Sequence, residues 1–380
     1  MFGGLCHDLF ACAFGHIRAH GIDPYKQAEQ GFSGFTMPHP SISLPTVCIG
    51  DVAVALPMQV VANDGLIDEL PKNQRILLAR HVGVKQRYIA DARQTAVDLG
   101  EAACRKLFAV HPQLLELIDT LIFCTQSADY ILPPNSCILH GRLGLKSSVT
   151  AFDLPHACSA YIYAIHIARA LVAAGSAKHV LVVTADTYSK FIHPHDRSTR
   201  LVFGDGAAAT WLRSSLSHGV QDVMCGTAGE HFEMFWIPAG GTRQPLSDAM
   251  REDEPHDSFG STRSAANIHM RGHEIFSFVK NRIPEHVNDL LARNQVSVDD
   301  IDWFVFHQAS SVVLDALTTS LDIAPAKVLR HLETIGNTVS ASIPMTLRAA
   351  FDERRIQPDH LVLLCGFGAG LSWGSALVRW

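Results

Sequence analysis

Ile118-Asp119-Thr120-Leu121-Ile122-Phe123-Cys124-Thr125-Gln126-Ser127 returns in outline as Ile301-Asp302-Trp303-Phe304-Val305-Phe306-His307-Gln308-Ala309-Ser310. A second pair, His179-Val180-Leu181-Val182-Val183 and His360-Leu361-Val362-Leu363-Leu364, stands at nearly the same separation of about 180 residues. Two matches at one spacing predict a duplicated unit. The chain has 380 residues, more than one ordinary domain and enough for two fused halves.

Outward from these stretches, each half alternates strand and helix signals. Residues 149–154 form a short apolar run before a proline and read as a buried strand. Residues 159–174 are apolar on nearly every side and stop at Gly175, which predicts a buried helix with a glycine end. Residues 179–184 read as the next buried strand. In the second half, 274–293 predicts an amphipathic helix, 303–306 a strand, 312–320 a helix and 361–364 a strand. This alternation predicts an α/β fold with helices covering a sheet. Residues 226–267 are rich in Gly, Pro and charge, including Gly240-Gly241-Thr242-Arg243-Gln244-Pro245, and read as a long loop or lid. The expected organisation is an extension over 1–45, a first half over 46–220, and a second half over 221–380 that carries the 226–267 insertion.

Hydrophobic residues make up 47% of the chain and charged residues 18%, which excludes disorder over most of its length. Lys plus Arg is 31 and Asp plus Glu is 37, giving a net charge of −6 with no dominant basic patch, so nucleic acid is not an expected partner. No apolar run reaches the ~18–20 residues of a membrane span. The nine cysteines form no Cys-x-x-Cys pair and scatter through apolar runs, the usage of a reducing cytoplasm. Residues 1–45 read differently, with His7, His16, His20, Pro38, Pro40 and Pro45. The apolar stretch 9–14 is short, with no basic segment before it and no clear cleavage site after it. It is not read as a secretory signal.

Cys158 lies where the strand 149–154 gives way to the helix 159–174. Unpaired backbone N–H groups at a helix amino end favour negative charge. A thiol there is expected to ionise more readily. A small buried residue in a tight turn fits the same position. The repeat assigns Asn337, in Ile335-Gly336-Asn337-Thr338-Val339-Ser340, to the corresponding turn of the second half. It places His307 at a strand end, opposite Cys124. Halves packed about a pseudo-twofold axis would bring the Cys, the His and the Asn to one pocket. With 21 histidines in the chain, His307 alone carries little weight.

These segments resemble the β-ketoacyl-ACP synthase III family. Phe152-Asp153-Leu154-Pro155-His156-Ala157-Cys158-Ser159-Ala160 resembles its nucleophile segment. Asp196-Arg197-Ser198-Thr199 and Phe203-Gly204-Asp205-Gly206-Ala207-Ala208-Ala209 resemble its middle signature. Phe306-His307-Gln308-Ala309, Gly336-Asn337-Thr338 and Gly366-Phe367-Gly368-Ala369-Gly370-Leu371-Ser372-Trp373-Gly374 resemble its second-half motifs, over roughly residues 46–380 in all. The resemblance implies the thiolase fold, a duplicated five-layer αβαβα arrangement with pseudo-twofold symmetry, in agreement with the repeat.

The same resemblance implies Cys158 as the nucleophile that takes an acyl group from a thioester, with the backbone N–H groups of Cys158 and Ala369 as oxyanion hole. It implies His307 and Asn337 as donors to the enolate formed when a malonyl thioester on coenzyme A or acyl carrier protein loses carbon dioxide. Arg197, Leu132 and Phe367 are the implied substrate-binding residues, with Leu132 reaching into the partner's acyl pocket in a homodimer. No cofactor and no metal are implied. Departures stand at Leu77 and His81, near the family's Trp and Arg that hold coenzyme A, and at Ser310 and Val312, where an Asn and a basic residue are common. Leu77 offers no flat stacking face to an adenine. Other readings are a related acyltransferase that makes an ester or amide without decarboxylation, a type III polyketide synthase, and a non-catalytic subunit of a heterodimer. A degradative thiolase would need a second cysteine at Gly366; Cys365 is one residue off, which reverses the side chain's face and makes it core. His193 and His195 make a poor metal pair. Asp205 reads as a turn-capping carboxylate.

Overall fold

Strands made wholly of apolar residues need cover on both faces. The fold supplies it with two sheets and three helical layers. The computed structural model describes residues 45–68, 72–196, 199–255 and 260–380. Strands β1 (Thr46–Ala55), β2 (Thr120–Cys124), β3 (Thr150–Leu154), β4 (His179–Asp186) and β5 (Gly206–Ser215) form one sheet in the order β1-β5-β4-β2-β3. β2 is parallel to β3 and β4, and β5 is antiparallel to β4 and β1. Strands β6 (Gly219–Thr227), β7 (Trp303–Phe306), β8 (Leu361–Gly368) and β9 (Ser372–Arg379) form a second sheet in the order β7-β8-β9-β6. There β7 is parallel to β8, and β9 is antiparallel to both β8 and β6. The series β1-β5-β4-β2 and β6-β9-β8-β7 are therefore the same path walked twice. β3 has its counterpart in a single parallel bridge between Phe304 and Val328. The two stretches whose likeness predicted the duplication are β2 and β7.

Period-two alternation distributes each strand between layers. In β4, Val180 and Val182 face one core, while Leu181, Val183 and Ala185 face another. In β8, Val362 and Leu364 face the first core, while Leu363 and Cys365 face a third. The shared central core holds α3 (Ala160–Ala173), whose Ala160, Ala164, Ile165 and Ala168 are buried between the sheets. It also holds Ile343, Met345, Leu347 and Ala350 of a helix spanning Ser342–Asp352. Outside the first sheet lie α1 (Ala96–Val110) and α2 (Asn135–Leu143). Outside the second lie α4 (Gly272–Arg293) and α5 (Ser311–Ser320); the Ser342–Asp352 helix is α6. The order is helix, sheet, helix, sheet, helix, which is the five-layer thiolase arrangement.

The first sheet's last strand in the chain ends at Ser215, and the second sheet's first strand begins at Gly219. Residues 1–44 of the expected extension lie outside the described residues. The 226–267 insertion departs from a simple loop. It starts inside β6, then folds into two-residue strands: Phe235–Trp236 pairs with His269–Met270, and Glu254–Pro255 with Thr262–Arg263. Arg263, 3% exposed, closes on Asp196 at 2.6 Å, so the insertion is tied to the body by a buried ion pair. Among the described residues, no helix is long and apolar enough to cross a membrane.

Candidate active site

Cys158 stands in the turn from β3 to α3 and is 2% exposed. The first sheet delivers the thiol, and the second presses against it. A side chain at Gly366 would put its Cβ 2.7 Å from the Cys158 carbonyl oxygen. One at Gly368 would lie 2.8 Å from Cys158 Cβ and 3.0 Å from Sγ. Both positions of β8 face Cys158 and must be glycine for the halves to close. Ser159 Oγ and Ser372 Oγ, 2.8 Å apart, join the start of α3 to the start of β9. Ala369, between Gly368 and Gly370 of the glycine-rich run, packs against the apolar cluster of Cys158, Phe203, Phe235 and Val339. Cys365 points to the opposite face of β8, fully buried, and burial pushes its thiol up to about 12.

His307 follows β7 and is 1% exposed. Its Nδ1 lies 2.6 Å from Ser342 Oγ. Ser342 Oγ also accepts the Gln308 N–H at 3.4 Å and, being fully buried, must place its own proton within the protein. The acceptor at hand is Nδ1. The ring therefore carries its proton on Nε2, the opposite edge from Ser342. Phe367 meets the imidazole edge-on, 5.6 Å between centroids. Burial pushes the His307 pKa down to about 3, so the ring is neutral.

Asn337 is held by its backbone: its N–H donates to Val202 O at 2.9 Å, and its O accepts from the Gly204 N–H at 3.0 Å. Its Oδ1 accepts the Val339 N–H at 2.9 Å. That bond fixes which end of the amide is oxygen and leaves the NH2 as the free donor end. Cys158, His307, Asn337 and Phe367 line one cavity of 430 Å³, whose walls include Val202, Phe203, Met270, Phe276 and Val313. The described residues lining it include no Lys or Arg.

The thiol does not behave as its helix-end position predicts. Burial and the nearby Asp186 carboxylate push its pKa up, against a smaller pull from its own backbone amide. A helix amino end contributes about 0.3–2 kcal/mol, less than full burial costs an isolated charge. The resting pair is thus a neutral thiol and a neutral imidazole.

A second cavity of 480 Å³ lies beside Ala369 and Gly370. Thr125, Gln126, Tyr188, Phe191 and Trp236 line it, and Phe235 borders both cavities. Leu132 lines neither. It is 78% exposed, beside Ile131 at 97% and Tyr130 at 63%, so the segment is no buried loop. Arg197 and the side chain of Leu77 lie outside the described residues; His81, Ser310 and Val312 line the 430 Å³ cavity. Asp205 accepts the Ala90 N–H at 2.8 Å and the Ser189 N–H at 3.0 Å, so it caps turns. His193 accepts the His195 N–H and faces Asp253 at 3.1 Å; among the described residues no group of three His, Cys, Asp or Glu is placed to hold a metal. Sequence reasoning missed Ser342, Asp186 and Phe235. An acid ending the apolar run His179-Val180-Leu181-Val182-Val183-Thr184-Ala185-Asp186 was a signal, since a buried carboxylate needs partners.

Residues 152–229 match the family model for 3-oxoacyl-[acyl-carrier-protein] synthase III, and residues 291–380 match the model of its C-terminal part. A β-ketoacyl-[acyl-carrier-protein] synthase III of Methylococcus capsulatus is 34% identical, covering 86% of this chain and 96% of that protein. One of Pasteurella multocida is 33% identical over 80% of this chain and 90% of that protein. A crystal structure of a 3-oxoacyl-(acyl-carrier-protein) synthase III superposes with a TM-score of 0.85 at 36% identity, covering 88% of this chain and all of the other. The priming β-ketosynthase of the R1128 polyketide pathway superposes at 0.76 with 25% identity, over 91% of this chain and 98% of that one. With the fold and matches of this length, the chain belongs to the β-ketoacyl-ACP synthase III family, acyltransferases of the condensing type.

Proposed function

We propose that this protein forms an acyl-cysteine at Cys158 and condenses it with a malonyl thioester to give a 3-oxoacyl product, in fatty-acid or specialised lipid or polyketide biosynthesis. Cys158 Sγ attacks the donor thioester carbonyl, and the Cys158 and Ala369 N–H groups hold the oxyanion. The bond to the carrier sulfur breaks, and the proton from Cys158 ends on the departing carrier thiol. The malonyl thioester then enters the 430 Å³ cavity. A largely apolar wall, with no Lys or Arg among the described lining residues, makes its carboxylate costly to hold, and losing it as carbon dioxide relieves that cost. The electron pair of the broken C–C bond becomes the thioester enolate, whose oxygen accepts from His307 Nε2–H and Asn337 Nδ2–H. The enolate carbon attacks the acyl-cysteine carbonyl, the S–C bond breaks, and Cys158 takes up one proton to return as a thiol. The enolate supplies its own carbanion, so no electron-accepting cofactor is needed.

The observation that carries this reading is the convergence of Cys158, His307 and Asn337 on one cavity, with both donor groups fixed by their neighbours. The fixed Asn337 amide favours condensation over plain acyl transfer to an alcohol or amine. The intact nucleophile and donors speak against a non-catalytic subunit. Arg197 and Phe367 contact the thioester carrier and acyl group in this reading. The carrier is coenzyme A or acyl carrier protein, the working unit a homodimer, and the compartment the cytoplasm.

Intact-protein mass after incubation with acyl thioesters tests it. One acyl group should add to the wild type and none to Cys158→Ala, and malonyl thioester should then discharge the adduct as a 3-oxoacyl product. An adduct that persists with malonyl thioester but leaves to an alcohol or amine would shift the reading to simple transfer. No adduct from any donor would remove the acyl-cysteine mechanism.

A further inference from the structure

Asp186 ends β4 with no exposed surface, and the chemistry above does not use it. A buried carboxylate needs donors, and this one draws them from both halves of the molecule. Oδ1 accepts the Gln126 N–H at 3.0 Å and the hydroxyls of Thr125 at 3.2 Å and Ser127 at 3.4 Å. Oδ2 accepts the Ser340 N–H at 3.2 Å and, in a shorter bond, the Ser340 hydroxyl. Ser340 sits three residues after Asn337, in the single turn Val339–Ala341.

That turn is strained. Val339, fully buried, has φ 53°, a backbone that a β-branched residue rarely adopts. Such strain persists only where the surroundings over-determine it. Val339 donates its N–H to Asn337 Oδ1, so the conformation of Val339 and the orientation of the Asn337 amide are one variable. The next residue, Ser340, is gripped twice by Asp186.

We propose that Asp186, acting through Ser340, is a positioning residue that holds the Asn337 amide in its donating orientation and so serves the decarboxylation step rather than the acylation step. This rests on the reading of Asn337 as donor to the enolate. The donor set fits a charged Asp186: five groups donate to its two oxygens, which opposes the upward push of burial on its carboxyl. The same charge pushes the Cys158 thiol up. Removing it leaves acylation unharmed or eases it, opposite to its effect on Asn337.

The test separates the two half-reactions in Asp186→Asn and Ser340→Ala. Cys158 acylation is read by intact mass in a single turnover, and decarboxylation by carbon dioxide release from a malonyl thioester. Loss of the clamp should lower carbon dioxide release on the order of tenfold, the worth of one good hydrogen bond. Acylation should hold in Ser340→Ala and hold or quicken in Asp186→Asn. Ser340→Ala keeps the backbone half of the clamp and is the milder change should Asp186→Asn not fold. Ser340→Thr, which restores the hydroxyl, should recover carbon dioxide release. An equal fall in both steps would mean a general structural role and would overturn the proposal. So would unchanged carbon dioxide release in both variants while Asn337→Ala loses it. If Asn337→Ala itself keeps carbon dioxide release, the donor reading fails and the proposal with it.

Discussion

A histidine kept neutral by burial ties catalysis to acid stability. His307 has its pKa pushed down to about 3 in the fold, against about 6.5 in an unfolded chain. Between those values the unfolded chain binds a proton that the fold refuses. Stability therefore rises with pH through that window, and falls as the protein is acidified from about pH 6.5 toward about pH 3. In urea titrations at about pH 4 and about pH 6, His307→Asn should lose less stability on acidification than the wild type, by up to about 1.4 kcal/mol per pH unit. His286, pushed down to about 4 by burial, keeps its own share in both proteins. Equal slopes would mean that His307 is not held neutral. The gathering of Cys158, His307 and Asn337 at one cavity was legible because the repeat relates the turn and strand end that carry the Asn and the His to those of the first half, and the family resemblance marks all three. Ser342, Asp186 and Ser340 were not, because their roles lie in contacts across the two halves. A serine in Val339-Ser340-Ala341-Ser342 looks the same whether it meets solvent or an imidazole.

Among the elements, those with continuous apolar runs could be read, and those that depend on close packing could not. The predicted helix 274–293 is α4 with two further residues at its start, and the strand 303–306 is β7 without change. β5 carries Gly206-Ala207-Ala208-Ala209, small residues that sequence statistics place outside strands. They sit in a strand because they are fully buried between neighbours and leave no room for larger side chains. The start of α1 has a consequence for the loop between β2 and α2. Thr95 forms a capping box with Asp98, and its hydroxyl also donates to Asp129 Oδ2 at 2.7 Å. Asp129 in turn accepts from the Val97 N–H at 3.3 Å and donates its own N–H to Asn135 Oδ1 at 3.0 Å. Thr95→Ala breaks the cap and the tie to the loop together. The expected loss is about 1–2 kcal/mol, the upper part of the range for helix caps, measured by denaturant unfolding. Thr95→Ser should restore most of it. A loss below about 0.5 kcal/mol, the usual effect of a surface substitution, would show that neither bond contributes.

For the whole molecule, the question is what covers the first sheet's open edge. The sequence predicts β3 as a buried strand, yet Ala151, Phe152 and Leu154 are only half-buried, because β3 is the last strand of its sheet. An unpaired edge is a template for another strand. The second sheet's corresponding place is taken by the Val328 bridge, so the two halves differ at this position. Nearby in sequence, Tyr130, Ile131 and Leu132 stand exposed one after another. The same loop begins at Thr125 and Gln126, which line the second cavity. A second copy of the chain set against the edge and the exposed side chains would cover both, which is the arrangement the proposed homodimer would use. Ile131→Lys makes the test clean. Ile131 is 97% exposed, so in a lone chain the change removes almost no contact and should leave stability within about 0.5 kcal/mol. In a dimer it would bury an unpaired charge, which costs several kcal/mol. Sedimentation at micromolar concentration should find the wild type as a dimer and Ile131→Lys shifted toward monomer, with acylation of Cys158 by longer acyl donors weakened in step. A wild type that sediments as a monomer, or an Ile131→Lys dimer as tight as the wild type, would take this face out of the assembly.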